Sequence, residues 1–275
     1  MLDQVTVQSL AREFFDAEKS RKQIRQVSLR HPEIDLEDAY AIQREWVAMK
    51  IAEGNPLKGY KIGLTSRAMQ MSVGINEPDH GVLLEDMFFG DGSVVPIDRF
   101  IAPRIEVELA FVLGRSLQGP DVTLFDVLDA TRYVIPALEI IDTRSQMVDP
   151  KTKRTRTIFD TIADNAANAG IVMGGQPVRP NDVDLRRVGA VLIQNGVIEE
   201  TGLAAGVLNH PANGVVWLAK KLAAYGVTLQ EGQVILSGSF TRPVFVHKGD
   251  TITVDYGDLG IVSCHFKQGE CDDVR

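Results

Sequence analysis

Apolar positions recur at helical spacing in the first part of the chain and at strand spacing past Pro56. Val7, Leu10, Phe14 and Ala17 stand three and four residues apart, which places them on one helix face. A second helix is expected from Asp35, an N-cap with Asp38 three residues on, and its stripe is Ala39, Ile42, Trp46 and Met49. Gly54 is placed to stop it. Both stripes read as core or subunit contact. Beyond them the pattern predicts short strands over 59–66, 100–113 and 133–142, the first interrupted by Gly63. A hairpin is expected over 188–200 around Asn195-Gly196, a strong two-residue turn signal. A helix over 211–225 buries Val215, Leu218, Leu222 and Tyr225, and four strands close the chain over 234–237, 244–246, 251–256 and 261–266. Gly249-Asp250 and Gly257-Asp258 supply turns between the last of these. Strands and helices do not alternate regularly, which argues against a doubly wound sheet. The expectation is an α+β fold. It has a small helical N-terminal part over 1–56, a larger curled β-rich domain over 57–267 and a disordered tail over 268–275.

Two of these strands carry acids where the pattern calls for apolar residues. In the segment 104–113, Ile105, Val107, Leu109, Phe111 and Leu113 share one face. The other face reads Glu106, Glu108, Ala110, Val112, so it begins acidic and turns apolar. A solvated face would have stayed polar to its end. The strand is therefore read as buried on both sides, with two carboxylates ~7 Å apart at a rise of ~3.3 Å per residue. Glu139 sits the same way among Val134, Ile135, Leu138, Ile140 and Ile141. Buried carboxylates must be paired, protonated or bound to a cation. An ion pair with a nearby arginine such as Arg104 is the ordinary outcome for any one of them. Three together, with no His or Cys at comparable positions, select a hard cation with oxygen ligands, Mg²⁺ or Mn²⁺ rather than zinc.

Composition narrows the classes of partner. The chain has 275 residues, 44% hydrophobic and 24% charged, an ordinary globular balance, and a net charge of −8 that argues against nucleic acid and anionic membranes. Cys264 and Cys271 are its cysteines, too few for a disulfide framework or a thiolate metal cluster. No signal-like N-terminal pattern and no long apolar run is visible, and a reducing cytoplasm fits these features best.

Further candidates follow from residues out of place. Lys61 lies between Tyr60 and Ile62 in an apolar strand, where desolvation lowers an amine's pKa and suits it to acid–base work. The ordinary alternative is a lysine reaching to the surface. Asp79, in Glu77-Pro-Asp-His80, is placed to hold Lys61 or relay its proton, although that tetrapeptide also reads as a plain turn. The segment 236–243 offers Ser239, backbone donors beside Gly238, and Arg242, which suit a carboxylate or oxyanion as well as they suit a turn. The basic stretch 149–157 reads as a mobile surface loop or as a lid over an anionic substrate.

The motifs Gly59-Tyr-Lys-Ile-Gly-Leu-Thr-Ser66, Pro103-Arg-Ile-Glu-Val-Glu-Leu-Ala-Phe111, Pro136-Ala-Leu-Glu-Ile-Ile-Asp142, Asp164-Asn-Ala-Ala-Asn168 and Gly238-Ser-Phe-Thr-Arg-Pro243 occur in that order. Together they resemble the hydratase/decarboxylase branch of the fumarylacetoacetate hydrolase superfamily, over nearly the whole chain. The resemblance implies that Glu106, Glu108 and Glu139 bind Mg²⁺ and that Lys61, assisted by Asp79, moves protons. It implies a small-molecule 2-oxo acid substrate, a diacid in the reading adopted, to which water is added in meta-cleavage catabolism of aromatic compounds. Decarboxylation of a related acid, or hydration of a 2-hydroxypentadienoate, is the alternative within the branch; a non-catalytic, metal-stabilised binding protein is the alternative outside it. A distal substrate carboxylate would call for Arg242 or the loop 151–156. Members of the branch are oligomers, so a homo-oligomer is implied.

Overall fold

The first stripe folds as α1 (Gln4–Ser20), capped by the Asp3 carboxylate at Thr6 N, with Val7, Leu10, Phe14 and Ala17 buried. After one helical turn, α2 (Val27–Arg30), the second stripe forms α3 (Leu36–Ala52). Asp35 and Asp38 cap it reciprocally, each carboxylate accepting the other's N–H. Gly54, just beyond, takes a φ of 87°, left-handed geometry that glycine adopts at little steric cost. The buried side chain of Gln43 donates from Nε2 to the carbonyls of His80 and Ile162, at 2.9 and 3.0 Å. That seats α3 on the β-rich part, so the region 1–56 is a docked layer.

The computed structural model describes residues 1–73 and 75–268; the tail expected over 268–275 therefore lies, Gln268 aside, outside the described residues. Past Pro56 come β1 (Leu57–Gly63), α4 (Arg67–Val73), β2 (Asp79–Leu84), β3 (Phe88–Gly90) and β4 (Ser93–Pro96). The first glutamate strand, expected from residue 100, begins later as β5 (Arg104–Leu113). The Asp142 carboxylate accepts the N–H groups of Ile101 and Ala102, which removes them from the ladder. The chain continues through α5 (Leu124–Ala130), β6 (Thr131–Ile141), α6 (Ile158–Ala163) and β7 (Asn168–Met173). The expected hairpin is β8 (Gly189–Gln194) and β9 (Val197–Leu203), with Asn195 and Gly196 at φ 53° and 83°, as a two-residue turn requires. Then follow α7 (Ala212–Ala223), β10 (Val234–Leu236), β11 (Val244–Phe245), β12 (Thr251–Asp255) and β13 (Ile261–Lys267).

The strands form two sheets. One runs β2-β1-β10-β5-β6-β7-β3, with β11 pairing at the start of β5; the other runs β4-β13-β12-β8-β9. In the first sheet β2 touches β7 although β1, β10, β5 and β6 stand between them, so the sheet is curled into a half-barrel. Its convex face carries Ile105, Val107, Leu109, Phe111 and Leu113, all buried in the main core. Its concave face holds a smaller buried apolar cluster, with Leu83, Ala110, Ala137, Ile171, Val234 and Leu236. The second sheet lies with β13 over β6 and β7. Tyr256, buried between the sheets, donates its hydroxyl to the carbonyls of Ala137 and Glu108, at 2.6 and 3.2 Å.

Candidate active site

Pairing of β5 with β6 is antiparallel, and its register sets Glu106 directly opposite Glu139, with Glu108 opposite Ala137. Side chains alternate along a strand, so Glu106, Glu108 and Glu139 share the concave face. One carboxylate oxygen from each lies within 4.8 Å of the others. Glu108 and Glu139 are fully buried. Gly238 N donates to Glu108 Oε2 at 2.8 Å and Asn168 Nδ2 to Glu139 Oε1 at 2.8 Å, which leaves Glu108 Oε1 and Glu139 Oε2 buried with no hydrogen-bond partner. Unpartnered, desolvated oxygens are costly, and a shared cation is the group that removes the cost. The all-oxygen donor set fits a hard divalent ion.

Curling of the sheet brings β1 across to this cluster. Lys61 Nζ stands 3.2 Å from Glu139 Oε1 and donates to the Ala166 carbonyl at 3.0 Å. Asp79, buried at the start of β2, pairs in register with Gly63. A methyl group on Gly63 would fall 2.2 Å from Asp79 Oδ1 and 3.2 Å from Lys61 Nζ. The glycine that interrupts the strand pattern thus makes room for both side chains.

Charge and burial compete here. Burial raises Glu106 to about 7, with Glu139 adding to the shift and Lys61 and Arg104 opposing it. Burial and then Glu139 hold Glu108 well above the usual carboxylate range. Asp79 is pushed up to about 6 by burial, against the pull of Lys61. For Lys61 the expectation is corrected: burial does pull it down, but Glu139, Asp79, Glu106 and Glu108 together outweigh burial and its pKa is raised. Desolvation alone would lower the amine; the field of four neighbouring carboxylates reverses the direction.

The segment behind Lys61 was legible as a motif but not as a device. Asn165, Ala166 and Ala167 have φ of 51°, 48° and 63°, three successive left-handed residues without a glycine. Asn165 holds this turn by accepting from Val82 N and donating to Val82 O, at 2.8 and 3.0 Å. Gly81 lets it approach, since a Cβ there would fall 2.4 Å from the Asn165 carbonyl. Arg144 clamps the other side: Nε pairs with Asp164 Oδ1, and Nη2 donates to the carbonyls of Asp164 and Asn168, at 2.7 and 3.0 Å.

Two expected site residues lie elsewhere. Arg242 is 82% exposed in its side chain and ion-paired with Glu200, so its charge is spent in solvent, away from the cluster. Ser239 Oγ donates to Thr241 O and accepts from Thr241 N, which uses the hydroxyl inside its own turn. From that segment it is the neighbouring Gly238 N that reaches the site. The basic loop is also tied down. The Asp149 carboxylate accepts from Lys151 N, Thr152 N and Arg25 Nε, and the buried Gln26 donates to the carbonyls of Gln146, Met147 and Arg154. Arg156, at its end, turns inward and is only 11% exposed. His80 is a packing residue, stacked on Tyr40 with ring centroids 4.5 Å apart and lowered to about 3 by burial, then by Lys221 and Arg44.

Residues 60–267 match the fumarylacetoacetate (FAA) hydrolase C-terminal family. The chain belongs to that family. It is 64% identical over 266 residues to 2-oxo-hept-4-ene-1,7-dioate hydratase of Escherichia coli, covering 97% of this chain and all of that one. It is 38% identical to 2-keto-4-pentenoate hydratase of Paraburkholderia xenovorans, covering 96% of each. Among solved structures, 4-oxalocrotonate decarboxylase from Pseudomonas putida G7, complexed with magnesium and adipate, matches with a TM-score of 0.91 at 38% identity, over 97% of this chain and 99% of that one. Among the described residues, no helix is long and apolar enough to cross a membrane.

Proposed function

We propose that the chain is a divalent-metal-dependent hydro-lyase that converts 2-oxo-hept-4-ene-1,7-dioate to 4-hydroxy-2-oxoheptanedioate in meta-cleavage catabolism of aromatic compounds. The observation that carries this reading is Lys61 Nζ, 3.2 Å from one of three glutamates whose oxygens converge within 4.8 Å. Glu106, Glu108 and Glu139 would hold the ion, Mg²⁺ or Mn²⁺; a magnesium complex of the decarboxylase neighbour, and the 64% identity to a hydratase, support it. Bound there, the cation would supply Lewis-acid polarisation of a 2-oxo acid and offset the carboxylate field that keeps Lys61 charged.

The chain's own residues handle the protons. Lys61, fixed by the Ala166 carbonyl and Glu139, delivers a proton to C5 of the 2-hydroxy-2,4-diene tautomer while the C2 enol O–H gives up its own, which forms the ketone and moves the double bond to C3–C4. Water then adds across that bond, its hydroxyl to C4 and its remaining proton to C3. Asp79, near neutrality in its titration, is suited to exchange a proton with Lys61 across the gap left by Gly63. The apolar floor of Leu83, Ala110, Ala137, Ile171 and Leu236 keeps bulk water from the rest of the diene. The same reading carries a homo-oligomer, supported by the edge strand β9, where Val197, Ile198 and Leu203 are exposed.

The test is conversion of the seven-carbon hydroxydienoate, followed by loss of its ultraviolet band and by product mass, with Mg²⁺ and with EDTA. A product heavier by one water, absent with the chelator, is expected. Release of CO₂ would replace hydration by decarboxylation, and chelator-insensitive turnover would remove the metal.

A further inference from the structure

Two arginines near the cluster are weakly committed: Arg104 makes no ion pair among the described residues, and Arg156 has one long contact, to Asp164. Arg104 lies on β5 two residues before Glu106 and on the same face, ~7 Å along the strand at a rise of ~3.3 Å per residue. Its guanidinium rests over the Phe245 ring at 5.4 Å, its Nε is buried without a partner, and among the described residues it makes no ion pair. Arg156 donates from Nη1 to Thr143 Oγ1 at 2.7 Å, and its nearest carboxylate oxygen, on Asp164, is 3.9 Å away. Asp164 is already engaged by Arg144. Arg156 is tied through Asp164 to the turn whose Ala166 carbonyl accepts from Lys61, and Arg104 lies near enough to Arg156 to lower its pKa.

Like charges brought together in a half-buried rim repel, and an arrangement of that kind is relieved by an anion between them. The other cations of the neighbourhood are committed, Arg144 to Asp164 and Lys61 to Glu139. An extended seven-carbon diacid, whose six C–C bonds advance ~1.25 Å each in a zigzag, separates its two carboxylate carbons by roughly 7–8 Å. Arg104, ~7 Å along the strand backbone from Glu106, lies in the same range.

We propose that Arg104 and Arg156 together hold the distal carboxylate of the substrate and so select a 2-oxo diacid over a 2-oxo monoacid. This rests on the hydratase reading only in that a 2-oxo acid docks at the glutamates. Guanidinium forks suit the role, because planar paired donors match a carboxylate.

The test is calorimetric and needs no turnover: saturated 2-oxoheptanedioate and 2-oxopentanoate are titrated into the Mg²⁺-loaded protein, wild type and the variants Arg104→Met and Arg156→Met. Wild type is expected to bind the diacid at least tenfold more tightly. Each variant is expected to weaken the diacid by about ten- to a hundredfold, as loss of a charged hydrogen bond does, and to leave the monoacid within about twofold. Unchanged monoacid binding also shows that the variant has folded. Equal weakening of both ligands, or no weakening of the diacid, overturns the assignment. If diacid selection holds but the unsaturated substrate is not hydrated, the hydratase reading fails and this one stands.

Discussion

Lys61 is held as an ammonium by the same carboxylates that invite a cation, so its charge state and metal occupancy are linked. Replacing it by methionine keeps the bulk of the side chain and removes the proton carrier. Lys61→Met is expected to lower kcat by about 10²–10⁴-fold while Mg²⁺ still binds in a calorimetric titration; activity within tenfold of wild type would remove Lys61 from the chemistry. Glu106, raised to about 7 by burial, gives a second residue-level expectation. A carboxyl raised in the folded state adds stability that is full below its unfolded pKa and is lost as pH rises through the folded value. Without metal, this group therefore makes the fold less stable between about pH 5 and pH 7, and an added cation restores the loss. Below pH 7 the ion must displace protons, so Mg²⁺ affinity should rise by up to about tenfold per pH unit per proton between pH 5.5 and 7, then level off. A pH-independent affinity over that range would contradict the titration described for Glu106.

The turn between α6 and β7 shows what a pattern of apolar residues conceals at the scale of an element. Glu106, Glu108 and Glu139 were legible because each breaks a two-residue alternation, and register then put them together. Asp164-Asn-Ala-Ala-Asn168 breaks no alternation: its message is a backbone shape, three left-handed residues, each disfavoured by ~1–2 kcal/mol without glycine and held by distant partners. Neither Val82 nor Arg144 is near it in sequence, so their grip on it could not be read in advance. The same limit hid the partners of Ser239 and Arg242, which the structure engages with Thr241 and Glu200. Arg144→Leu is expected to destabilise the protein by about 3–5 kcal/mol, because Asp164 is left buried without its partner. Calorimetric melting checks this, and a midpoint unchanged from wild type would show that the clamp does not hold the turn.

At the scale of the whole molecule, the site exists because a sheet curls. Lys61 and Glu139 belong to strands separated by two others, yet their charged atoms are 3.2 Å apart. The α+β class, the docked N-terminal helices and the glycine turns were all visible as spacing, whereas the curl was expected from strand content alone and its pairing order was not. The elements α2, α4, α5, α6, β3 and β4 went unforeseen because each is too brief to show a period; β2 and β7, six residues each, were also missed, β2 because its first residues read as a turn. The proposed function then depends on one consequence of that curl, a cluster of carboxylate oxygens placed to hold a divalent ion. Mn²⁺ soaked into crystals and located by its anomalous scattering tests this most directly. The account predicts a single strong peak among Glu106, Glu108 and Glu139, at ~2.1–2.2 Å from an oxygen of each, close to the distances of small octahedral cations. A peak elsewhere, or none in a saturating soak, would contradict it.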